Sequence, residues 1–202
     1  LLKSAKLIFP MLIFSVFFAE PIMTCMYGDI YAQSSIYFVI KNLSGLFYII
    51  PFYPIILAIG KTNSYANAHM IAAFMIVIAE YVVCKTFDSA VYVAITSELC
   101  NLVKIWLLLR VIANYAHMKI TELLPPKPMT ILIMISALAS LPPFLLLDFL
   151  NMNKFIVLFV CLGFFLVDYY VLCWICKVTY RDIAGGFLKN KSRLNAVVKI
   201  LP

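Results

Sequence analysis

Six times between Leu7 and Cys176 this chain runs for about twenty residues with only one to three charged side chains in the run. A segment of that length and apolarity is what an α-helix needs to cross the ~30 Å hydrocarbon core of a bilayer. The runs cover roughly 7–26, 35–59, 66–84, 90–112, 129–149 and 155–176, and they break where turn residues and charges gather, as at Tyr27-Gly28-Asp29, Gly60-Lys61-Thr62-Asn63, Lys85-Thr86-Phe87-Asp88 and Asn151-Met152-Asn153. Composition agrees. Of 202 residues, 65% are hydrophobic and 12% charged, with a mean hydropathy of +1.02. A water-soluble domain is closer to half apolar and a quarter charged, and a disordered chain is more polar still. Short alternating strands of the membrane-barrel kind are missing. The expected fold is therefore all-α, a polytopic bundle of six transmembrane helices over 1–176 followed by a basic tail, 177–202.

The net charge of +7 would suggest a nucleic-acid partner in a soluble protein, but in a membrane protein basic residues collect in cytoplasmic loops. Alternating the loops puts Lys3, Lys6, Lys61, Arg110, Lys119, Lys127, Lys177, Arg181, Lys189, Lys191, Arg193 and Lys199 on one side and only Lys85 and Lys154 on the other. That asymmetry predicts both ends of the chain in the cytoplasm. The basic tail is expected to lie along anionic lipid. The chain opens Leu-Leu-Lys-Ser with no initiator Met or signal peptide, so the expectation is that it begins inside a longer protein.

Charges inside a span are costly and should face protein or water. Lys41 polarises the second span together with Asn42 and Ser44. Glu80 lies near the end of the third, Glu98, Asn101 and Lys104 repeat at three-residue steps along the fourth, and Asp168 sits mid-way along the sixth. The two lysines, with Asn101, are candidate contacts for an anionic substrate. The competing reading is internal pairing, Lys104 with Glu98 or Asp168, or snorkelling of Lys41. Glu80, Glu98 and Asp168 are coupling or structural carboxylates. Pro51 and Pro54 in the second span and Pro142-Pro143 in the fifth should bend their helices, either as static kinks or as hinges.

Other signals point nowhere in particular. The Cys173-Trp174-Ile175-Cys176 pattern closes a membrane helix rather than following a strand, and the Asn42-Leu43-Ser44 sequon is intramembrane. His69 and His117 are far apart in sequence, so neither a metal site nor a cofactor is expected. The acids are scattered, without the clustered carboxylates or Arg/His pair that an enzyme acting on polyprenyl phosphates would need, and no enzyme activity is expected.

Several motifs resemble one family. The first span reads Phe-Pro-Met-Leu-Ile-Phe (9–14) and then Ala-Glu-Pro-Ile-Met-Thr-Cys-Met-Tyr-Gly-Asp-Ile-Tyr-Ala (19–32). The second leaves through Leu-Ala-Ile-Gly-Lys-Thr-Asn (57–63), and the fourth is entered through Asp-Ser-Ala-Val-Tyr-Val-Ala (88–94). With two final helices and a basic tail, this is similar to the C-terminal half of bacterial polysaccharide flippases. That family exports O-antigen, capsule and exopolysaccharide repeat units, within the multidrug/oligosaccharidyl-lipid/polysaccharide exporter superfamily. The resemblance implies one lobe of a two-lobed exporter in the bacterial cytoplasmic (inner) membrane. It also implies undecaprenyl-diphosphate-linked oligosaccharide as substrate, and as partners membrane lipids, an N-terminal lobe of the same protein and a polysaccharide polymerase, with no nucleic acid. A multidrug exporter of the same superfamily and a membrane enzyme acting on polyprenyl-linked sugars are the alternatives.

Overall fold

A computed structural model describes residues 2–147, 153–176 and 178. The tail expected over 177–202, apart from Val178, the Asn151-Met152 part of the last turn and the Lys3 side chain lie outside the described residues. The described residues form α-helices and short 3-10 turns, with no strand among them. The helices are α1 (Leu2–Phe17), α2 (Ala19–Tyr27), α3 (Ser35–Leu43), α4 (Phe52–Ala58), α5 (Thr62–Thr86), α6 (Ala90–Ala116), α7 (Ile120–Leu123), α8 (Pro126–Leu146) and α9 (Lys154–Ile175). Five helical stretches are long and apolar enough to cross a membrane, and six when α1 and α2 together count as one. The chain is an all-α, polytopic membrane protein.

Two of the expected spans are not single helices. The run 7–26 is α1 followed by α2, parted at Phe18. Pro21 explains the break, because it has no N–H to give to the Phe17 carbonyl and its ring crowds that oxygen. The run 35–59 is α3, a 3-10 turn over Ser44–Phe47, a non-helical stretch at 48–51, and α4. Pro51 is the N-cap of α4 and Pro54 lies in its first turn, a place where a missing N–H costs nothing. Through the break the helical ladder gives way to tighter bonds, Tyr48 N–H to Gly45 O (3.1 Å), Ile50 N–H to Phe47 O (3.3 Å) and Phe52 N–H to Ile50 O (2.9 Å). The expected bend is a full interruption. In α8, by contrast, Pro142 and Pro143 stay inside one continuous helix.

The chain divides into two units, one over Ala19–Met129 and the other formed by Leu2–Phe18 with the chain from Thr130 on. In the first, α5 and α6 make a close pair joined through Phe87-Asp88-Ser89, and α3 and α4 pack on α6. Helix α6 buries Glu98, Asn101, Ile105, Leu108, Leu109 and Ile112, a three- and four-residue spacing that defines one face. It ends on His117, in the left-handed region at φ 52, with Met118 N–H bonded back to Ala113 O at 3.0 Å. Helix α4 ends the same way on Gly60 (φ 70), with Lys61 N–H to Ile56 O at 3.1 Å.

The second unit is held by rings. Phe14 stacks on Phe18 with centroids 4.4 Å apart and meets Phe165 at 5.0 Å, while Phe144 presents edges to Phe17 and Phe18. Pro10, inside α1, cannot donate to the Lys6 carbonyl, and the Tyr169 hydroxyl from α9 donates to it instead at 3.3 Å. In lipid a freed carbonyl must find such a partner. The Cys161 thiol donates to the Pro143 carbonyl (3.6 Å), and Ser136 and Ser140 turn their hydroxyls back onto α8's own carbonyls.

Candidate functional site: a broken span beside an intramembrane lysine

The interruption at 48–51 lies against α6, and two polar arrangements meet there. The first gathers residues far apart in sequence. The Lys41 ammonium, on α3, pairs with Glu98 Oε2 at 3.3 Å. Asn101 Nδ2 donates to Glu98 Oε1 (3.0 Å) and to the Tyr48 hydroxyl (3.2 Å). The fully buried Ser44 hydroxyl donates to the Lys41 carbonyl at 3.1 Å. Glu98 is 7% exposed, whereas the Lys41 side chain is 73% exposed. The carboxylate is therefore fixed in the protein and the ammonium reaches it from the rim.

The pair bears on one of the expected pairings only. Glu98 belongs to Lys41, so the expected alternative, in which Glu98 neutralises Lys104, does not hold. The reason is geometric, since α3 packs on α6 and brings Lys41 to the face of α6 that buries Glu98 and Asn101. Asp168 lies half-buried on α9, in the other unit. Glu80, near the end of α5, accepts from Ser97 across the α5–α6 pair.

Lys104 follows Asn101 by one turn of α6. It is half-buried and makes no ion pair with a carboxylate among the described residues. It lines a cleft of about 290 Å³ together with Tyr48, Pro51, Tyr53, Tyr65 and His69. Tyr53 meets Tyr65 edge-on at 5.4 Å, and Tyr65 lies 4.4 Å from the His69 ring, one turn further along α5. The cleft thus combines one ammonium with aromatic faces, beside backbone that has left the helical ladder. Such a lining can hold an anionic group and stack against a ring.

Lys41, Asn101 and Glu98 are therefore brought together, and Lys104 stands one turn beyond them. Pro51 and Pro54 line the same cleft, whereas Pro142 and Pro143 belong to the other unit and do not line it. Sequence reasoning missed Tyr48, Tyr53, Tyr65 and His69. The Tyr65–His69 pair was signalled by its four-residue spacing on one helix face, and Tyr48 and Tyr53 by flanking the Pro51 break. Among the described residues no cluster of His, Cys, Asp and Glu could hold a metal ion.

Fold and site define a class, a helical membrane protein with a discontinuous span at an intramembrane cation. Comparison with protein-family models, with curated proteins and with solved structures gave no match.

Proposed function

We propose that this chain forms one lobe of a transporter that flips a diphosphate-linked, oligosaccharide-bearing lipid across the bacterial cytoplasmic membrane during surface polysaccharide synthesis. The observation that carries the reading is the cleft at the break of the second span, where Lys104 has no described acidic partner and Tyr48, Tyr53, Tyr65 and His69 supply aromatic faces. Transporters place substrates near the bilayer midplane at discontinuous helices, because irregular backbone is tolerated there only where it lines a cavity. A diphosphate requires cations, and sugar rings stack on aromatic ones. The multidrug reading is less well served, since an organic cation favours an acidic cavity and the buried carboxylate, Glu98, is already met by Lys41.

The test is export in cells whose surface polysaccharide depends on this protein. Lys104→Gln is expected to cut export about tenfold, the ~1.4 kcal/mol at the lower end of a charge-assisted hydrogen bond. Membrane abundance should stay unchanged, and Lys104→Arg should recover most of the loss. Normal export by the Lys41→Gln, Lys104→Gln double variant would overturn the proposal.

A further inference from the structure

A second, larger cleft lies at the end of the α5–α6 pair where α5 begins and α6 stops. Its volume is about 690 Å³, and its lining is Lys61, Ser64, Val111, Asn114, Tyr115 and His117. Five of those six side chains are polar, one is an ammonium, and none is a carboxylate. The acid nearest in sequence, Glu122, is already engaged, its Oε2 accepting the Lys119 backbone N–H at 3.1 Å. No carboxylate among the described residues pairs with Lys61. Beside the cleft on α6, Arg110 lies over the exposed Trp106 ring, 5.4 Å from its centroid. The apolar side of the fit is on the same helix. From Ser64 the helical period passes the exposed Asn67 and then leads to Ile71, Met75 and Ile78, all exposed, so an acyl chain could run along α5 beyond the cleft.

We propose that this cleft binds the phosphate headgroup of an anionic membrane phospholipid. Lys61 takes the phosphate charge, Ser64 and Asn114 donate to its oxygens, and the Ile71–Ile78 stripe takes a chain. The site is distinct from the Lys104 cleft and does not depend on what is transported. Charge complementarity selects the lipid: a zwitterionic headgroup would bring its own cation into a lining that offers no carboxylate.

The test uses the full chain in nanodiscs of equal phosphatidylglycerol and phosphatidylcholine, with the lipids retained after release weighed by native mass spectrometry. The expected result is preferential retention of phosphatidylglycerol. Lys61→Gln should lower it about fivefold, which is ~1 kcal/mol for one basic residue at an anionic surface. Lys61→Arg should retain it, as should Lys127→Gln, which removes a cation outside the cleft. Circular dichroism of each variant keeps folding separate from binding. Equal retention of the two lipids, or equal effects of Lys61→Gln and Lys127→Gln, would overturn the proposal. So would displacement of the lipid by inorganic phosphate, which would make this a site for a free anion.

Discussion

In the unit over Ala19–Met129, side chains from distant helices meet through polar atoms: Lys41 with Glu98, Asn101 with Tyr48, Ser97 with Glu80. In the unit of α1, α8 and α9 they meet through rings, and its polar side chains bond mainly to backbone carbonyls, one of them freed by Pro10. The difference is instructive because lipid supplies no hydrophobic drive for helices to associate. What holds them is close packing and hydrogen bonds. One unit relies mainly on the first, whereas the other relies on the second and contains the interruption at 48–51.

The largest effect that would break this contrast is in the ring-packed unit. Phe165 is 1% exposed and contacts both Phe14 and Tyr169. Phe165→Ala should cost roughly 2–3 kcal/mol, somewhat below the cost in a water-soluble core because the reference state is lipid. Denaturant unfolding in mixed micelles would measure it, and a loss below ~1 kcal/mol would mean that packing is not what holds α1 to α9. Next comes a backbone effect in the polar unit. Gly60 adopts φ 70, and no atom lies within 4 Å of the point a Cβ would occupy there, so Gly60→Ala meets no clash but must take a left-handed conformation. The expected cost is about 1 kcal/mol, read in the same unfolding assay. The smallest effect is Tyr169→Phe, at about 0.6 kcal/mol, the average worth of an interhelical hydrogen bond in a membrane. It should shrink toward zero in a Pro10→Ala background, where residue 10 regains its N–H for the Lys6 carbonyl. A double-mutant cycle without that coupling would dissociate the hydroxyl from the proline.

Much of the fold was legible in the sequence, because hydropathy integrates over twenty residues and tolerates local error. The limits of α6, α8 and α9 fall within four residues of those expected wherever both lie among the described residues. The break at Phe18 was legible in principle from Pro21, since a proline acts on the carbonyl four residues back, but an apolar average passes straight over it. At 48–51 the two prolines gave the place and understated the extent. Pairings were the least legible. Lys41 and Glu98 are 57 positions apart, and no spacing rule on one helix brings them together. The three-residue repeat of Glu98, Asn101 and Lys104 correctly marked a polar face, yet it suggested a partner on the same helix where the packing of α3 supplied another.

The interrupted second span also has an electrical consequence. As one α-helix, the 30 residues of Asp29–Ala58 would be about 45 Å long, well beyond the ~30 Å hydrocarbon thickness. Split as it is, and setting aside the 3-10 turn over Asp29–Ser34 that leads into it, α3 with its 3-10 extension rises about 20 Å and α4 about 10 Å, so the break sits roughly a third of the way along that part from the Lys61 end. On the proposed function, an anion reaching Lys104 from that end would traverse about a third of the membrane field. With the full potential worth ~2.3 kcal/mol per charge per 100 mV, that is about 0.8 kcal/mol for each charge on the anion. On the proposed function, the break would make occupancy of the cleft a function of voltage, and the sign of that dependence would report which end of the second span faces the negative side.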